Sequence, residues 1–227
     1  MTRIISLLWI SLLPVVAMAE TTSRESYAEF GLGLLVPSDA STEPLTGSSG
    51  GVTFNNLRAN IEYDNATIWS IEYGRYIDSE IGLRAGVNYS SFKLKLKRLY
   101  GSGSYTYSGT TYNVTTNIDR SEIAGSGVTF DNNVKILSFN LYKDFNTENS
   151  NTKPYIGFGL GQADVENAKD KELAYSLILG VNYEISDKTY IGGRFQNTTI
   201  SGPTDSLGVK YEDADAQTWM VTVGTRF

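Results

Sequence analysis

The chain contains neither cysteine nor histidine. Without cysteine there is no disulfide framework, no thiolate metal site or nucleophile, and no residue to carry the lipid of a lipoprotein, so that class is not expected. Without histidine, Ser-His and His-Asp mechanisms lose their base and the commonest metal ligand is missing. Positive charge is also short. The 19 Lys and Arg face 25 Asp and Glu, a net charge of −6, which argues against a polybasic nucleic-acid surface. The apolar run from Ile4 to Val16 is interrupted by Pro14 and falls short of the roughly 20 residues that a membrane helix needs. No Pro-rich, Gly/Ser-rich or charged linker divides the 227 residues, so one domain is expected. These absences leave no candidate catalytic residue, cofactor site or metal site.

What is present begins with Arg3, the short apolar run, Ala17-Met18-Ala19 and a polar stretch opening at Glu20. A charged start, an apolar middle and small residues at a cleavage site make a signal peptide over residues 1–19, removed after Ala19, with 20–227 as the exported part. The acidity of that part suits solvated loops. Acidic loops on a bacterial surface can hold the divalent ions that bridge lipopolysaccharide, but no cluster in the sequence fixes such a site.

Beyond residue 26 no helical periodicity is sustained. Segments of alternating apolar and small-or-polar residues, rich in Tyr, Val, Ile, Thr and Gly, predict strands. Trp219, Val221, Val223, Thr225 and Phe227 share one face, and Thr218, Met220, Thr222, Gly224 and Arg226 the other. Phe30, Leu32 and Leu34 oppose Glu29, Gly31 and Gly33, and Trp69, Ile71 and Tyr73 oppose Ser70, Glu72 and Gly74. Similar runs over 82–89, 137–142, 156–161, 175–183 and 190–196 bring the count to eight. A soluble sandwich would place Lys, Glu and Thr on the second face. Here that face is Gly, Ser, Asn and Tyr with isolated charges, which suits the narrow interior of an eight-stranded barrel whose other face meets lipid. The glycines of Gly157 to Gly161 are inward positions of this kind and not a phosphate cradle, because no Lys-Ser or Lys-Thr follows and no helix begins there.

The fold class expected is therefore all-β: a single antiparallel, transmembrane, up-and-down barrel of eight strands. Short connections alternate with long ones near 37–67, 93–133, 164–172 and 201–214, as periplasmic turns alternate with extracellular loops. Leu57 to Tyr63 and Tyr105 to Val114 are also strand-like, and would give ten strands if both crossed the membrane. Lys93, Lys95, Lys97 and Arg98 make that region a poor lipid-facing segment, so hairpins above the membrane are preferred.

The Tyr155-Ile156-Gly157-Phe158-Gly159-Leu160-Gly161 strand, the hairpin from Ile71-Glu72-Tyr73-Gly74-Arg75-Tyr76 to Gly86-Val87-Asn88-Tyr89, the signal peptide and the closing strand ending in Phe227 resemble the small outer-membrane β-barrels of the OmpA-barrel and opacity-protein type. The resemblance covers nearly all of the exported part and implies the cell outer membrane as its location. It also implies that Trp219, Val221, Val223 and Phe227 are read by the barrel-insertion machinery, Phe227 serving equally as an interfacial aromatic. Enzymes built on such barrels resemble one another in needing a histidine, which this chain lacks, so a non-enzyme is expected.

Charges on inward positions need partners, and five were predicted there: Glu29, Glu72, Arg84, Arg194 and Arg226. Glu72 and Arg84 flank one short turn and should lie opposite or diagonal. Glu29 and Arg226 lie near the periplasmic ends of the strands that close the barrel. An electrostatic plug is preferred to a salt-bridge gate, because eight strands leave room for side chains and little else. The function expected is a surface protein with the barrel as anchor and loops for envelope integrity, adhesion or recognition. Its partners would be outer-membrane lipids and lipopolysaccharide, the insertion machinery and an unnamed extracellular ligand, with no nucleic acid. The alternative is a narrow porin-like channel for small or hydrophobic solutes.

Overall fold

The computed structural model describes residues 25–124, 131–145, 151–205 and 208–227; the expected signal peptide lies outside them. In chain order the elements are β1 (Ser26–Pro37), β2 (Ala40–Ser41), β3 (Leu45–Ser49), β4 (Val52–Tyr63), β5 (Ala66–Asp78), β6 (Leu83–Leu94) and β7 (Leu96–Tyr107). There follow β8 (Thr110–Asp119), the short helix α1 (Arg120–Ala124), β9 (Asn132–Asp144), β10 (Thr152–Val165), β11 (Glu172–Glu184), β12 (Thr189–Ile200) and β13 (Ala214–Arg226). Eight of the strands close into an antiparallel barrel in the order β1-β13-β12-β11-β10-β9-β6-β5.

Strict period-2 alternation makes this ring. Along β5 burial alternates residue by residue from Ala66 to Tyr76, and along β13 from Ala216 to Arg226. The outward set stays bare: Trp219 is 58 % exposed, Val221 67 % and Phe158 53 %. A continuous belt of such residues has no aqueous counterpart in a monomer and is the lipid-facing surface of a transmembrane barrel. Tyr175 and Tyr183 bracket Leu177, Leu179 and Val181 on the outside of β11, as aromatic girdles bracket the apolar band. No described helix is long and apolar enough to cross a membrane.

Backbone closure is direct. The β1–β13 ladder runs from Tyr27↔Arg226 to Pro37↔Ala216, and Ser26 and Phe227 exchange two backbone hydrogen bonds of 2.9 Å. Both termini of the barrel therefore share one end with the short connections after β5, β9 and β11, which identifies that end as periplasmic. The connections after β1, β6, β10 and β12 leave the opposite, extracellular end.

Outside the membrane the chain builds a second sheet in the order β2-β4-β7-β8, with β3 beside β4. β4 and β7 prolong the β5–β6 hairpin, joined where the Asp64 amide donates to the Lys95 carbonyl at 2.9 Å. Tyr105 to Val114 thus spans the β7–β8 hairpin, whereas Leu57 to Tyr63 lies on β4, with β7 on one side and β2 and the start of β3 on the other. The basic residues explain why this sheet stays in water: Lys97 pairs with Glu62 at 2.5 Å and Arg98 with Asp119 at 3.0 Å. Ile61 and Leu96 form its small core, with Tyr63, Leu99 and Tyr211 packed around them.

The face assignment predicts a depth-dependent cost on β11. Leu179→Arg, midway between the two tyrosines, should lower stability by roughly 2 to 4 kcal/mol, and Leu173→Arg near the outer rim by no more than about 1 kcal/mol. Equal penalties in reversible unfolding from lipid vesicles would contradict the assignment.

Candidate functional site

Inward positions of the periplasmic half converge on Glu72. Its Oε1 accepts from the Tyr27 hydroxyl at 2.6 Å, and its Oε2 from the Tyr142 hydroxyl at 2.6 Å, Asn140 Nδ2 at 2.9 Å and Asn88 Nδ2 at 3.4 Å. Two guanidinium groups approach the same carboxylate: Arg194 Nη1 at 3.7 Å and Arg84 Nη1 at 3.8 Å. Arg194 also holds Glu29 at 2.5 Å and donates from Nε to the Tyr155 hydroxyl at 3.2 Å. Arg84 Nε reaches Asp144 at 3.0 Å, and its guanidinium carbon lies 4.0 Å from the centre of the Tyr142 ring. All of these charged side chains are buried.

Below this layer Arg226 and Lys153 both reach Glu184 at 2.6 Å. The ion-paired lumen thus sets Glu29, Glu72, Asp144 and Glu184 against Arg84, Arg194, Arg226 and Lys153. Equal and opposite charge at contact distance is the condition under which Glu29, Glu72 and Asp144 with Arg84, Arg194 and Arg226 tolerate burial, whereas Glu184 and Lys153 lie at the partly exposed rim.

The five predicted lumen charges all face inward, but two pairings differ from expectation. Glu72 is opposite Asn88 and Arg84 opposite Tyr76, so the two meet only through the long reach of Arg84, whose nearer partner is Asp144. Glu29 pairs with Arg194 and not with Arg226, which turns to Glu184. Strand tilt explains both, because residues at one height in a barrel are offset along neighbouring strands. Trp219, Val221, Val223 and Phe227 stand on the outer surface. Two residues that sequence reasoning missed are Asp144 and Glu184, which lie at strand ends and read as solvated turn residues.

Glycine supplies the space for the tyrosines of this layer. Tyr27, Tyr142, Tyr155 and Tyr190 are register partners of Gly74, Gly157, Gly180 and Gly224 on the next strand. A Cβ at Gly180 would sit 2.3 Å from Tyr155 Cζ, and one at Gly224 2.1 Å from Tyr190 Cζ. Each ring lies flat over a glycine and fills the lumen sideways.

Toward the extracellular end the interior changes character. Leu35, Ile68, Phe92, Val134, Ile136 and Ile200 form an apolar cluster, and above it a cavity of 270 Å³ opens between the barrel mouth and the outer sheet. Among the described residues no group of three or more acidic side chains is placed to hold a metal ion.

A closed eight-stranded barrel with a lipid-compatible belt and a filled lumen defines a small integral outer-membrane protein. Residues 5–227 match the family described as outer membrane protein beta-barrel domain, and the chain belongs to that family. No curated protein sequence matches it. Among solved structures it is similar to Neisserial surface protein A, with TM-score 0.52 and 14 % identity over 89 % of this chain and 97 % of that one. It is also similar to OprG of Pseudomonas aeruginosa, TM-score 0.49 and 14 % identity over 90 % and 96 %. The outer membrane protease OmpT of Escherichia coli follows at TM-score 0.41 and 12 % identity over 92 % and 99 %. At such identity the likeness to Neisserial surface protein A is one of fold alone.

The lumen geometry predicts strong coupling between Glu29 and Arg194. Arg194→Met leaves the buried Glu29 carboxylate without its cation and removes one of two from Glu72, and should cost roughly 3 to 5 kcal/mol. Adding Glu29→Gln should cost less than the sum of the single changes, with a coupling of about 1 kcal/mol or more. Additive losses in urea unfolding would mean that the two do not form a pair.

Proposed function

We propose that this outer-membrane barrel is a closed, non-enzymatic recognition protein: the barrel anchors it among outer-membrane lipids and lipopolysaccharide, and the outer sheet with its cavity meets an extracellular ligand. The observation that carries this reading is the filled lumen, crossed by ion pairs and tyrosine rings at van der Waals distance. The ordered second sheet supports it further, since loops serving only as connections need no ladder or core of their own. The absence of histidine from the whole sequence supports a role without acid–base chemistry.

A narrow channel for small or hydrophobic solutes has the apolar mouth in its favour, and conductance separates the two readings. The folded protein in planar bilayers should show no stable channels. Steady unitary currents from the wild type would replace recognition with transport.

We also propose that the outward series Trp219, Val221, Val223 and Phe227 is read by the barrel-insertion machinery. Deleting Phe227 should lower the amount of protein in the outer membrane and raise degraded periplasmic material. Unchanged surface abundance would remove this role.

A further inference from the structure

The cavity at the extracellular mouth has an uneven chemistry. Its 270 Å³ lies just below the range of about 300 to 1,000 Å³ typical of small-molecule sites. The floor is barrel-derived and apolar, with Leu35, Phe92, Val134, Ile200 and Ala216, and the roof brings Ile61 of the outer sheet. Four carboxylates line the same space, Glu166, Asp205, Glu212 and Asp215, and among the described residues no Lys or Arg does.

These acids come from the β10–β11 connection, the β12–β13 connection and the start of β13, and are held in place. Glu166 accepts from the Asn133 amide and side chain at 2.9 and 2.6 Å, Asp215 from the Thr199 hydroxyl at 2.5 Å, and Asp205 from the Val209 amide at 2.9 Å. The donors to Glu166 and Asp215 are neutral and leave the carboxylate charge in place. Glu212 is bridged by Arg58 at 3.2 Å on the exposed side. Lys169 and Lys210 lie on the bordering loops but not in the lining. Burial pushes the Tyr63 hydroxyl up to about 12. Burial and then the neighbouring Asp205 raise that of Tyr211. Both phenols stay neutral at physiological pH, so the charge on the lining is carboxylate.

An apolar floor beneath a carboxylate rim discriminates by charge. An anion meets repulsion at the entrance, a neutral molecule gains only from burial, and a cation on an apolar body gains from both. We propose that the cavity binds a small amphipathic cation, an ammonium group on a compact apolar body, with the body on the Phe92 and Ile200 floor and the head toward Glu166 and Asp215. This deepens the recognition reading and rests on it.

The test uses the full barrel in zwitterionic lipid nanodiscs, titrated with phenethylammonium, phenethyl alcohol and phenylacetate, with empty discs as reference. Phenethylammonium should bind saturably and shift the amide resonances of Ala40, Ala168 and Ala216. Phenethyl alcohol should bind about tenfold more weakly, and phenylacetate more weakly still. Glu166→Gln with Asp215→Asn should bring the amine close to the alcohol. Ala216→Leu, which fills the floor, should abolish binding; Ala168→Leu at the loop edge repeats that test without touching the barrel wall. Equal binding of amine and alcohol would overturn the cation assignment. Saturation that leaves those resonances unmoved, or no saturation at all, would overturn the site. Bilayer conductance alongside intact amine binding would instead overturn the recognition reading alone.

Discussion

Two carboxylates face each other inside this barrel. Glu29 and Glu72 are direct register partners on β1 and β5, an arrangement that is destabilising when left to itself. Arg194, arriving from β12, touches both, at 2.5 Å and 3.7 Å. Most of the periplasmic half follows from that clamp. Arg84 completes the charge around Glu72 and needs Asp144 in turn. Tyr27 and Tyr142 supply the hydroxyls for the remaining lone pairs of Glu72, and their rings require glycine on the neighbouring strands. Replacing any member uncovers a charge or opens a void in a space closed off from bulk solvent.

The barrel interior is consequently divided along its axis. The periplasmic half is polar and locked by long side chains, while the extracellular half is lined mainly by aliphatic and small residues, with short hydroxyl contacts such as Ser176 to Thr198 at 2.9 Å. From the outside inward, the apolar floor of the mouth comes first and the layer of ion pairs beneath it. The outer sheet, grown from the same hairpin as β5 and β6, roofs that space, and the chain around the β10–β11 and β12–β13 connections brings carboxylates to its edge.

Much of this was legible in the sequence because lipid enforces it. Outward positions in the middle of β13 and β5 are apolar, with Gln217, Thr225, Thr67 and Arg75 only toward the strand ends, so alternation survives in Trp219, Val221 and Val223 or in Trp69, Ile71 and Tyr73, and eight strands can be counted. The inward placement of Glu29, Glu72, Arg84, Arg194 and Arg226 follows from the same parity. Their partners do not, because partnership depends on stagger around the closed ring and on reach: Arg84 and Asp144 are separated in the chain by the β7–β8 hairpin and α1. The Tyr–Gly pairs were hidden for the same reason, although both residue types stood on the inward face. The mouth cavity was masked differently. There the inward residues are themselves apolar, as at Leu35, Ile136 and Ile200, so alternation blurs into runs such as Leu34-Leu35-Val36 that carry no mark of a cavity.

The central claim is a dry, locked hydrogen-bond layer around Glu72, and proton exchange tests it most directly. In lipid nanodiscs, the Tyr27 and Tyr142 hydroxyl protons should give observable NMR resonances that exchange slowly with water and disappear or shift together in Glu72→Gln. Hydroxyl protons that exchange too fast to observe in the wild-type protein would show that water reaches the layer, and would contradict a lumen closed by Glu29, Arg194 and Glu72.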